Sequence, residues 1–319
     1  MRILVTGATG FIGTRLCERL VRQGHEVRGV SRGGNGSVAG VDYQAKDFSD
    51  AASIAESLQD IDCVVHLAGR AHVLNKREDS PALYRAVNCD ATLQLARLAM
   101  GAGVKRLVFI SSIGVNGNQS GPVRFTEDSV PAPAADYARS KLEAEEGLKS
   151  LLNHSEMEWV IIRPPLVYGA DAPGNFRTLL NVVDKGIPSP FICVRNARSI
   201  ISVDNLALLI TQAVEHPAAA GQLFLASDDA DVSTHQMLGA LAQGMGRRAG
   251  WLPVPHAVLA VLLKLMGKAD LYTQLCGSLT VDGSKARRLL DYQPNTDTLG
   301  ALAEVGRQYQ LNRQALNNG

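Results

Sequence analysis

Short apolar runs alternate with amphipathic stretches through the first half of the chain. Strand-like runs occupy residues 3–5, 26–30, 63–67, 107–110 and 159–162, and helical patterns occupy residues 14–23, 51–58, 91–102 and 137–152. The switch between a continuous apolar run and a repeat of three or four residues distinguishes buried strands from amphipathic helices. Because strands and helices alternate with short connections, the pattern predicts an α/β fold with a parallel sheet covered by helices on both faces.

The pattern changes after about residue 165. Proline and glycine interrupt the chain at 173–174, 186–190 and 250–255, and short elements follow without a clear period. This half predicts a smaller, mixed C-terminal domain, mainly residues 166–319, at the carboxyl edge of the sheet. A segment at about 198–226, with a helix at 204–214, is expected to return to the first domain. The apolar run 257–266 is interrupted by Lys264, and we interpret it as an internal or lid helix rather than one lying on a membrane surface.

Composition and charge exclude several classes of protein. Hydrophobic residues make up 46% and charged residues 20%, as in an ordinary globular enzyme, and a net charge of +1 provides no global basic field for nucleic acid. No apolar run approaches the roughly 18 residues of a membrane-spanning helix. The chain opens directly on a strand, so we expect a cytoplasmic protein with no integral membrane segment. Scattered cysteines predict reduced thiols and no metal site: Cys17, Cys63, Cys89, Cys193 and Cys276.

A glycine-rich loop connects the first strand to the first helix. Residues 6–13 read Thr-Gly-Ala-Thr-Gly-Phe-Ile-Gly. Gly7 permits a tight turn, Gly10 lets the backbone approach a pyrophosphate, and Gly13 lets the helix pack closely on the sheet. Free N–H groups at the helix N-terminus then face the anion. The loop predicts a Rossmann-type, doubly wound dinucleotide-binding domain over residues 1–165, with these contacts: Gly7, Thr9, Gly10, Phe11, Ile12 and Gly13.

Further candidate cofactor residues follow later strands. Asp47 and Phe48 come after a region expected to form the third strand, where a carboxylate can meet the adenine; a turn aspartate is the alternative. His66 is interpreted as a packed strand residue and not as a ligand. Three residues at the end of the fourth strand are candidates to lie beside the cofactor backbone: Leu67, Ala68 and Gly69.

A tyrosine, a lysine and a serine form the candidate catalytic group. Tyr137 and Lys141 lie four residues apart, on one face of a helix whose start Asp136 is expected to cap. Ser111 and Ser112 follow the strand at 107–110, so the groups would meet at the carboxyl edge of the sheet. Hydride transfer at a carbinol carbon needs proton transfer at its oxygen, and a tyrosine of pKa ~10 is a poor base at neutral pH. A nearby ammonium and a positive nicotinamide ring favour the phenolate, and the serine hydroxyl positions the substrate oxygen.

Together these motifs resemble the extended short-chain dehydrogenase/reductase family, in particular its nucleotide-sugar epimerase/dehydratase group. The resemblance rests on TGATGFIG at 6–13, HLAG at 66–69, FISSIGVNG at 109–117, YARSK at 137–141, RPPLVYG at 163–169 and RSIISVDNLA at 198–207. It implies that Ser112 is the active-site hydroxyl, Tyr137 the acid/base, and Lys141 the ribose-binding, pKa-lowering residue. Cofactor contacts from Tyr137, Lys141, Pro164 and Val167 are also implied. A homodimer formed through the helices at 91–102 and 137–152 is expected from the same resemblance.

The substrate side is less complete than the cofactor side. The resemblance implies that Asn175 holds a sugar diphosphate and that Arg198 clamps it. The family often supplies a second arginine where this chain has residues 276–278, Cys-Gly-Ser, so that half of the clamp has no arginine at its usual place. Three basic residues remain alternatives for that half: Arg247, Arg248 and Lys268. The substrate-binding candidates are Arg70, Ser111, Ser112, Asn175 and Arg198.

Two departures from the family pattern narrow the reaction. Dehydratases place an acidic pair after the catalytic hydroxyl, whereas this chain has Ile113 and Gly114, so 4,6-dehydration lacks its acid and base. NAD-preferring members end the second strand on an acidic residue that binds both ribose hydroxyls, whereas this chain has Ser31 and Arg32, which slightly favours NADP over NAD.

The resemblance implies C4 chemistry on a UDP-linked sugar of bacterial surface polysaccharide. The resemblance includes both reduction of a UDP-4-keto-6-deoxy-N-acetylhexosamine and 4-epimerisation of UDP-glucose or UDP-N-acetylglucosamine. Because a reductase must release its oxidised cofactor in each cycle, the phosphate-tolerant adenosine site at Ser31 and Arg32 favours reduction, and epimerisation is the alternative. A dinucleotide-binding sensor without chemistry is the more distant alternative, because such proteins typically lose the Tyr–Lys pair that this chain keeps.

Overall fold

The computed structural model describes residues 1–47, 50–70, 80–265, 269–295 and 297–318. The strands are β1 (Arg2–Thr6), β2 (Glu26–Ser31), β3 (Val41–Ala45), β4 (Cys63–His66), β5 (Arg106–Ile110), β6 (Glu158–Arg163), β7 (Leu166–Tyr168), β8 (Ile200–Ser202) and β9 (Gln222–Leu225). The helices are α1 (Phe11–Arg22), α2 (Ala51–Ser57), α3 (Pro81–Arg85), α4 (Ala91–Gly101), α5 (Asp136–Leu152), α6 (Gly174–Asp184), α7 (Val203–Glu215), α8 (Thr234–Gly244), α9 (His256–Leu265), α10 (Ala269–Cys276), α11 (Ser284–Leu290) and α12 (Thr298–Asn318).

Within the described residues, seven strands form one parallel sheet in the order β3-β2-β1-β4-β5-β6-β9. The order reverses between β1 and β4, and α1 follows β1 at this switch point, where ligands of doubly wound sheets bind. The predicted α/β, Rossmann-type class is confirmed, and each predicted strand run falls within an observed strand or extends one residue past it.

Side chains of the central strands alternate between the two faces of the sheet. In β1, Ile3 and Val5 enter a core beneath α1 and α7, whereas Leu4 enters a second core beneath α4 and α5. All three are at most 1% exposed. Burial on both faces explains why these strands read as continuous apolar runs in the sequence.

Two helix starts differ from the sequence prediction. Helix α1 begins at Phe11 rather than at residue 14, because Gly10 already has the extended backbone of an N-cap. The prediction that Asp136 caps α5 is wrong: Ala135 is the N-cap, and Asp136 lies inside the first turn. There its carboxylate faces the positive end of the helix dipole and pairs with Arg139.

The chain after β6 adds a smaller mixed layer. Strands β7 and β8 pair in parallel, and helices α6, α8 and α12 enclose a third core around Phe176, Leu241 and Leu302. Helix α7 matches the predicted return helix and packs against α1 beneath the sheet. The division at residue 165 stays a prediction. Among the residues that the structure describes, no helix is both long and apolar enough to cross a membrane.

Candidate active site

The glycine loop after β1 is held against the ends of β2 and β4. Gly7 has a φ of +70° and its N–H donates to the Val30 carbonyl at 2.8 Å. A Cβ at Gly7 would lie 3.0 Å from the Ala68 nitrogen, and a Cβ at Gly13 would lie 2.1 Å from the Gly7 oxygen. Glycine is favoured at residue 7 because of its positive φ, and it is required at residue 13 because no space remains for a side chain. The loop therefore packs tightly on its own backbone.

The N-terminus of α1 is open at this loop. Gly10 is its N-cap and has no side chain to accept a hydrogen bond from the first turn. Because the first N–H groups of a helix have no intrahelical partner, those of Phe11, Ile12 and Gly13 can receive a pyrophosphate oxygen. The chain thus fits a dinucleotide here, and Thr9 is exposed beside the turn.

The end of β2 carries no carboxylate. Ser31 is buried, and its Oγ accepts a hydrogen bond from the Gly34 nitrogen at 3.1 Å. Arg32 is exposed at the strand end, where an adenosine ribose would lie. Asp47 lies just beyond β3, and its carbonyl accepts from the Asp50 nitrogen at 3.1 Å. The predicted contact of Phe48 lies outside the described residues.

The residues that follow β4 run between the glycine loop and the catalytic helix. The Ala68 nitrogen donates to Thr6 Oγ1 at 3.2 Å. A Cβ at Gly69 would lie 3.1 Å from Asn88 Oδ1 and 3.3 Å from Lys141 Nζ. A larger residue at Gly69 would press on both Asn88 and Lys141, so the space at this position is set by those two side chains.

The loop after β6 lies against the turn that begins at Ser112. The Pro164 carbonyl accepts from the Ile113 nitrogen at 2.9 Å, which ties the loop to the turn that begins at Ser112. Val167 is half-buried in β7. A Cβ at Gly169 would lie 2.8 Å from the Phe11 ring, so this loop also reaches the start of α1.

The predicted catalytic trio is brought together at the carboxyl edge of β5. Tyr137 and Lys141 share one face of α5, and the Tyr137 hydroxyl is hydrogen-bonded to the Ser112 side chain. Lys141 Nζ donates to the Ile110 carbonyl at 3.0 Å and lies 4.5 Å from the centre of the Phe109 ring.

Burial controls the ionisation of both α5 groups. It raises the pKa of Tyr137 to about 12, and the hydrogen bond from Ser112 opposes this shift. It lowers the pKa of Lys141 to about 8, and the Glu145 carboxylate opposes that shift. Tyr137 therefore starts as a proton donor at neutral pH, and a positive charge beside it is needed to make the phenolate accessible.

A π-helical turn at residues 86–90 packs against α5. Its Asn88 donates to the Arg70 carbonyl and to Ser140 Oγ, both at 3.0 Å, and accepts from the Arg70 nitrogen at 2.7 Å. Such turns recur at functional sites. Asn88 thereby fixes the backbone of Arg70, a predicted substrate residue, against α5.

Sequence reasoning missed a buried ion pair beneath the trio. Glu145 and Arg163 are at most 2% exposed and form two hydrogen bonds, Nε to Oε1 at 2.9 Å and Nη2 to Oε2 at 2.6 Å. The Ser111 hydroxyl donates to Glu145, and Arg163 also donates to Asn116 at 2.9 Å. Ser111, predicted to bind substrate, is thus buried with its hydroxyl on Glu145.

The predicted substrate residues lie on the C-terminal layer. Asn175 is exposed in the first turn of α6 and donates to Gln274 at 3.3 Å. Arg198 donates to the Gly277 carbonyl at 2.9 Å, and burial lowers its pKa. Residues 276–278, where the family often has its second arginine, therefore contact Arg198.

Two of the alternatives for that missing arginine can be located. Arg247 pairs with the buried Asp184 at 3.3 Å, and Arg248 is exposed beside Trp251. Lys268 lies outside the described residues. Among the residues described, no group of three or more potential metal ligands comes together.

His66 is a packed strand residue in a hydrogen-bond chain. Thr92 donates to the Asn88 carbonyl, so His66 Nε2 must donate to Thr92 at 2.9 Å and Nδ1 must accept from Thr6 at 2.7 Å. Burial, with a smaller effect of Lys141, lowers the pKa of His66 to about 3. The neutral ring joins the glycine loop to the turn that holds Asn88.

We expect this histidine to destabilise the fold in acid. The pKa of His66 is 6.5 in the unfolded chain and about 3 in the folded chain. The neutral ring therefore contributes fully to the free energy of unfolding above pH 6.5, and this contribution is lost as the pH falls toward 3. Urea unfolding at several pH values should give a slope of up to about 1.4 kcal/mol per pH unit from this group. His66→Gln should remove that slope and the exposed His154→Gln should retain it; equal slopes in both variants would contradict the assignment.

The fold is that of a dinucleotide-dependent enzyme, and its sheet edge carries a tyrosine, a lysine and a serine side by side. Residues 3–225 match the NAD dependent epimerase/dehydratase family, and the chain belongs to this family. It is 42% identical over 297 residues to a UDP-glucose 4-epimerase of Vibrio cholerae, covering 92% of this chain and 90% of the relative.

Solved structures with the same fold include enzymes of more than one activity. A UDP-glucose 4-epimerase from Thermotoga maritima has a TM-score of 0.79 at 21% identity, covering 99% of this chain and all of that chain. A dTDP-glucose 4,6-dehydratase from Streptomyces venezuelae has a TM-score of 0.81 at 23% identity, covering 99% and 98%. These likenesses show the fold.

Proposed function

We propose that the chain acts at C4 of a UDP-linked sugar and that its net reaction is C4 epimerisation. The observation that carries the proposal is the Ser112–Tyr137 hydrogen bond at the sheet edge, with Lys141 on the same helix face. The choice of epimerisation is supported by the 42% identity to the Vibrio cholerae enzyme named UDP-glucose 4-epimerase.

Proton movement in this reaction falls to Tyr137. Its phenolate takes the proton from the C4 hydroxyl and returns it to the 4-keto oxygen, while Ser112 donates a hydrogen bond to the same oxygen. Lys141, held by the Ile110 carbonyl, supplies the charge that favours the phenolate. A bound NAD would supply the hydride acceptor and donor, and epimerisation requires that the hydride return to the opposite face of C4.

The residues after Ser112 do not suit dehydration. Ile113 is buried, and Gly114 donates its N–H to Ser112 Oγ at 3.1 Å. Neither can protonate a leaving hydroxyl at C6 or remove a proton from C5. Loss of water from the 4-keto sugar is therefore not part of the proposal.

Reduction of a UDP-4-keto-6-deoxy-N-acetylhexosamine is the second candidate. The observation that favours it is the end of β2, where Ser31 and Arg32 replace a carboxylate. An epimerase retains its dinucleotide through both half-reactions, whereas a reductase releases it in each cycle. A site without the ribose-binding carboxylate suits release.

One experiment separates the two candidates. The protein is incubated with UDP-glucose and UDP-N-acetylglucosamine without added reductant, and separately with the 4-keto-6-deoxy sugar and NADH or NADPH. Interconversion of C4 epimers without consumption of reduced cofactor supports epimerisation. Stoichiometric consumption of reduced cofactor, with no interconversion in the first mixture, would replace epimerisation by reduction. If neither activity is detected, C4 chemistry on these sugars is contradicted.

The proposal extends to NADP as a cofactor used at least as well as NAD. Exposed Arg32 can pair with a 2′-phosphate, and Ser31 offers no opposing charge. We expect Arg32→Ala to weaken NADPH binding about tenfold and to leave NADH binding nearly unchanged. Arg22→Ala, which removes an exposed arginine at the far end of α1, is the matched control in fluorescence titrations. A strong NADH preference that Arg32→Ala does not alter would contradict this.

Helices α4 and α5 are the surface through which we propose that two copies of the chain pair. The protein works in the cytoplasm as a homodimer paired through α4 and α5, and residues 166–319 supply most of the sugar-binding side. The two helices already pack closely, since a Cβ at Gly147 would lie 2.8 Å from Leu93. Sedimentation velocity should give a dimer, and a monomer at assay concentration would contradict this part.

A further inference from the structure

Helix α9 leaves one apolar face exposed. Val258, Val261 and Leu265 lie at spacings of three and four, so they share one side of the helix. They are 47%, 57% and 80% exposed, respectively. We refer to these three side chains as the α9 face.

The opposite side of α9 does the packing. Leu259 and Leu263 lie in an apolar cluster with Val194 and Cys276, and His256 is hydrogen-bonded to Tyr272 of α10 at 2.7 Å. The helix is thus anchored without the α9 face. Those three side chains are available to a partner at no cost in packing.

More exposed apolar side chains surround this helix. Seven of the 13 exposed large apolar residues described in the structure lie between residues 187 and 271, so the exposure is concentrated. The four outside the α9 face are Ile187, Ile192, Leu252 and Leu271. Their chain neighbours pack with the buried side of α9, because Phe191 and Val254 lie in the same cluster as Leu259, and the Leu252 nitrogen donates to the Ser189 carbonyl.

Basic residues outnumber acidic ones in the sequence around α9, where Asp270 follows the basic stretch and Asp184 pairs with Arg247. The sequence has no aspartate or glutamate from residue 232 to 269, and it has four basic residues there: Arg247, Arg248, Lys264 and Lys268. Arg248 and Lys264 are exposed, and Arg248 lines the same cleft as Ile187. A second copy of this surface would place basic groups against basic groups, which disfavours self-association. Apolar side chains beside unopposed basic ones are typical of a surface that binds anionic lipid.

The exposure of the α9 face argues against the interpretation of residues 257–266 as an internal or lid helix. We propose instead that the α9 face, together with Arg248 and Lys264, docks on an anionic lipid bilayer. The apolar side chains enter the boundary between headgroups and acyl chains, and the two basic side chains meet the lipid phosphates. Helix α10 links this surface to the candidate sugar site, because its Gln274 contacts Asn175 and the following Gly277 accepts from Arg198. Docking would hold that site beside the bilayer.

Vesicle sedimentation of the full chain tests the proposal. Vesicles of phosphatidylcholine with phosphatidylglycerol should bind the protein, vesicles of phosphatidylcholine alone should bind it weakly, and high salt should release it. The variant Val258→Ser/Val261→Ser/Leu265→Ser should bind about 100-fold more weakly. Arg248→Gln/Lys264→Gln should bind at least about tenfold more weakly to the anionic vesicles.

Matched variants change equally exposed residues elsewhere. Val123→Ser/Val130→Ser/Leu311→Ser and Arg22→Gln/Lys105→Gln alter exposed positions remote from α9 in the sequence, and both should bind vesicles like the wild type. NADH binding by each variant reports that its fold is intact. Equal binding by the α9 and control variants, or no binding to anionic vesicles, would overturn the proposal. The proposal would also be overturned if the wild-type protein formed an oligomer that failed to bind vesicles and if the α9 variant lost that oligomer.

Discussion

Replacing Tyr137 with phenylalanine should lower turnover about 10²–10⁴-fold and leave dinucleotide binding nearly unchanged. The phenol is the group hydrogen-bonded to Ser112 at the sheet edge, and phenylalanine keeps the ring that meets Tyr84 edge-on at 6.3 Å. Only the route for the proton is removed. The expected loss is therefore one of rate and not of folding or cofactor affinity.

The measurement is kcat beside NADH affinity from fluorescence titration. Tyr309→Phe is the matched control, because it removes a buried phenol that donates to Asn181 in the C-terminal layer, far from the trio in sequence. That variant should retain most of the wild-type rate. A Tyr137→Phe enzyme that kept half of the wild-type rate would remove Tyr137 from the proposed proton route.

Much of the fold follows from short-range patterns. Strand β1 reads as apolar because both of its faces are covered, and the loop that follows needs glycine at residues 7 and 13 for conformation and space. Tyr137 and Lys141 are one helical turn apart, so their shared face is also a local property. These features depend on neighbours within a few residues, and the sequence therefore predicts them.

The buried ion pair is a different case. Glu145 lies in a stretch with Glu143 and Glu146 that resembles an ordinary solvated helix face, and Arg163 is 18 residues away at the end of β6. Only the packing of α5 on the sheet brings them together and draws in Ser111. One signal was present: Tyr137, Lys141 and Glu145 recur every fourth residue, so Glu145 faces the same side as the catalytic pair.

The sugar-binding side was also beyond local patterns. Arg198 contacts the carbonyl of Gly277, 79 residues later, and Asn175 contacts Gln274, 99 residues later. Such pairs are set by how α6, β8 and α10 are placed on the sheet. Sequence resemblance could name Asn175 and Arg198, but it could not supply their partners.

Replacing Glu145 with glutamine should lower the free energy of unfolding by about 3–5 kcal/mol. The variant leaves the Arg163 guanidinium buried without its counter-charge, and Arg163 is only 2% exposed. It also weakens the acceptor of the Ser111 hydroxyl. Because Glu145 opposes the lowering of the Lys141 pKa, the variant should lower that pKa further and reduce turnover as well.

Urea unfolding measures the change in the free energy of unfolding. An unchanged m-value, the slope of that free energy against urea concentration, would show that the folded state stays compact. Glu146→Gln is the matched control: it makes the same chemical change one residue away at an exposed position of α5, where the expected cost is within about 0.5 kcal/mol. Glu145→Met/Arg163→Met should recover much of the lost stability, since it removes both buried charges together. Turnover should stay low in this double variant, because the carboxylate that supports Lys141 is still missing. Equal costs for Glu145→Gln and Glu146→Gln would mean that the ion pair does not hold α5 to β6.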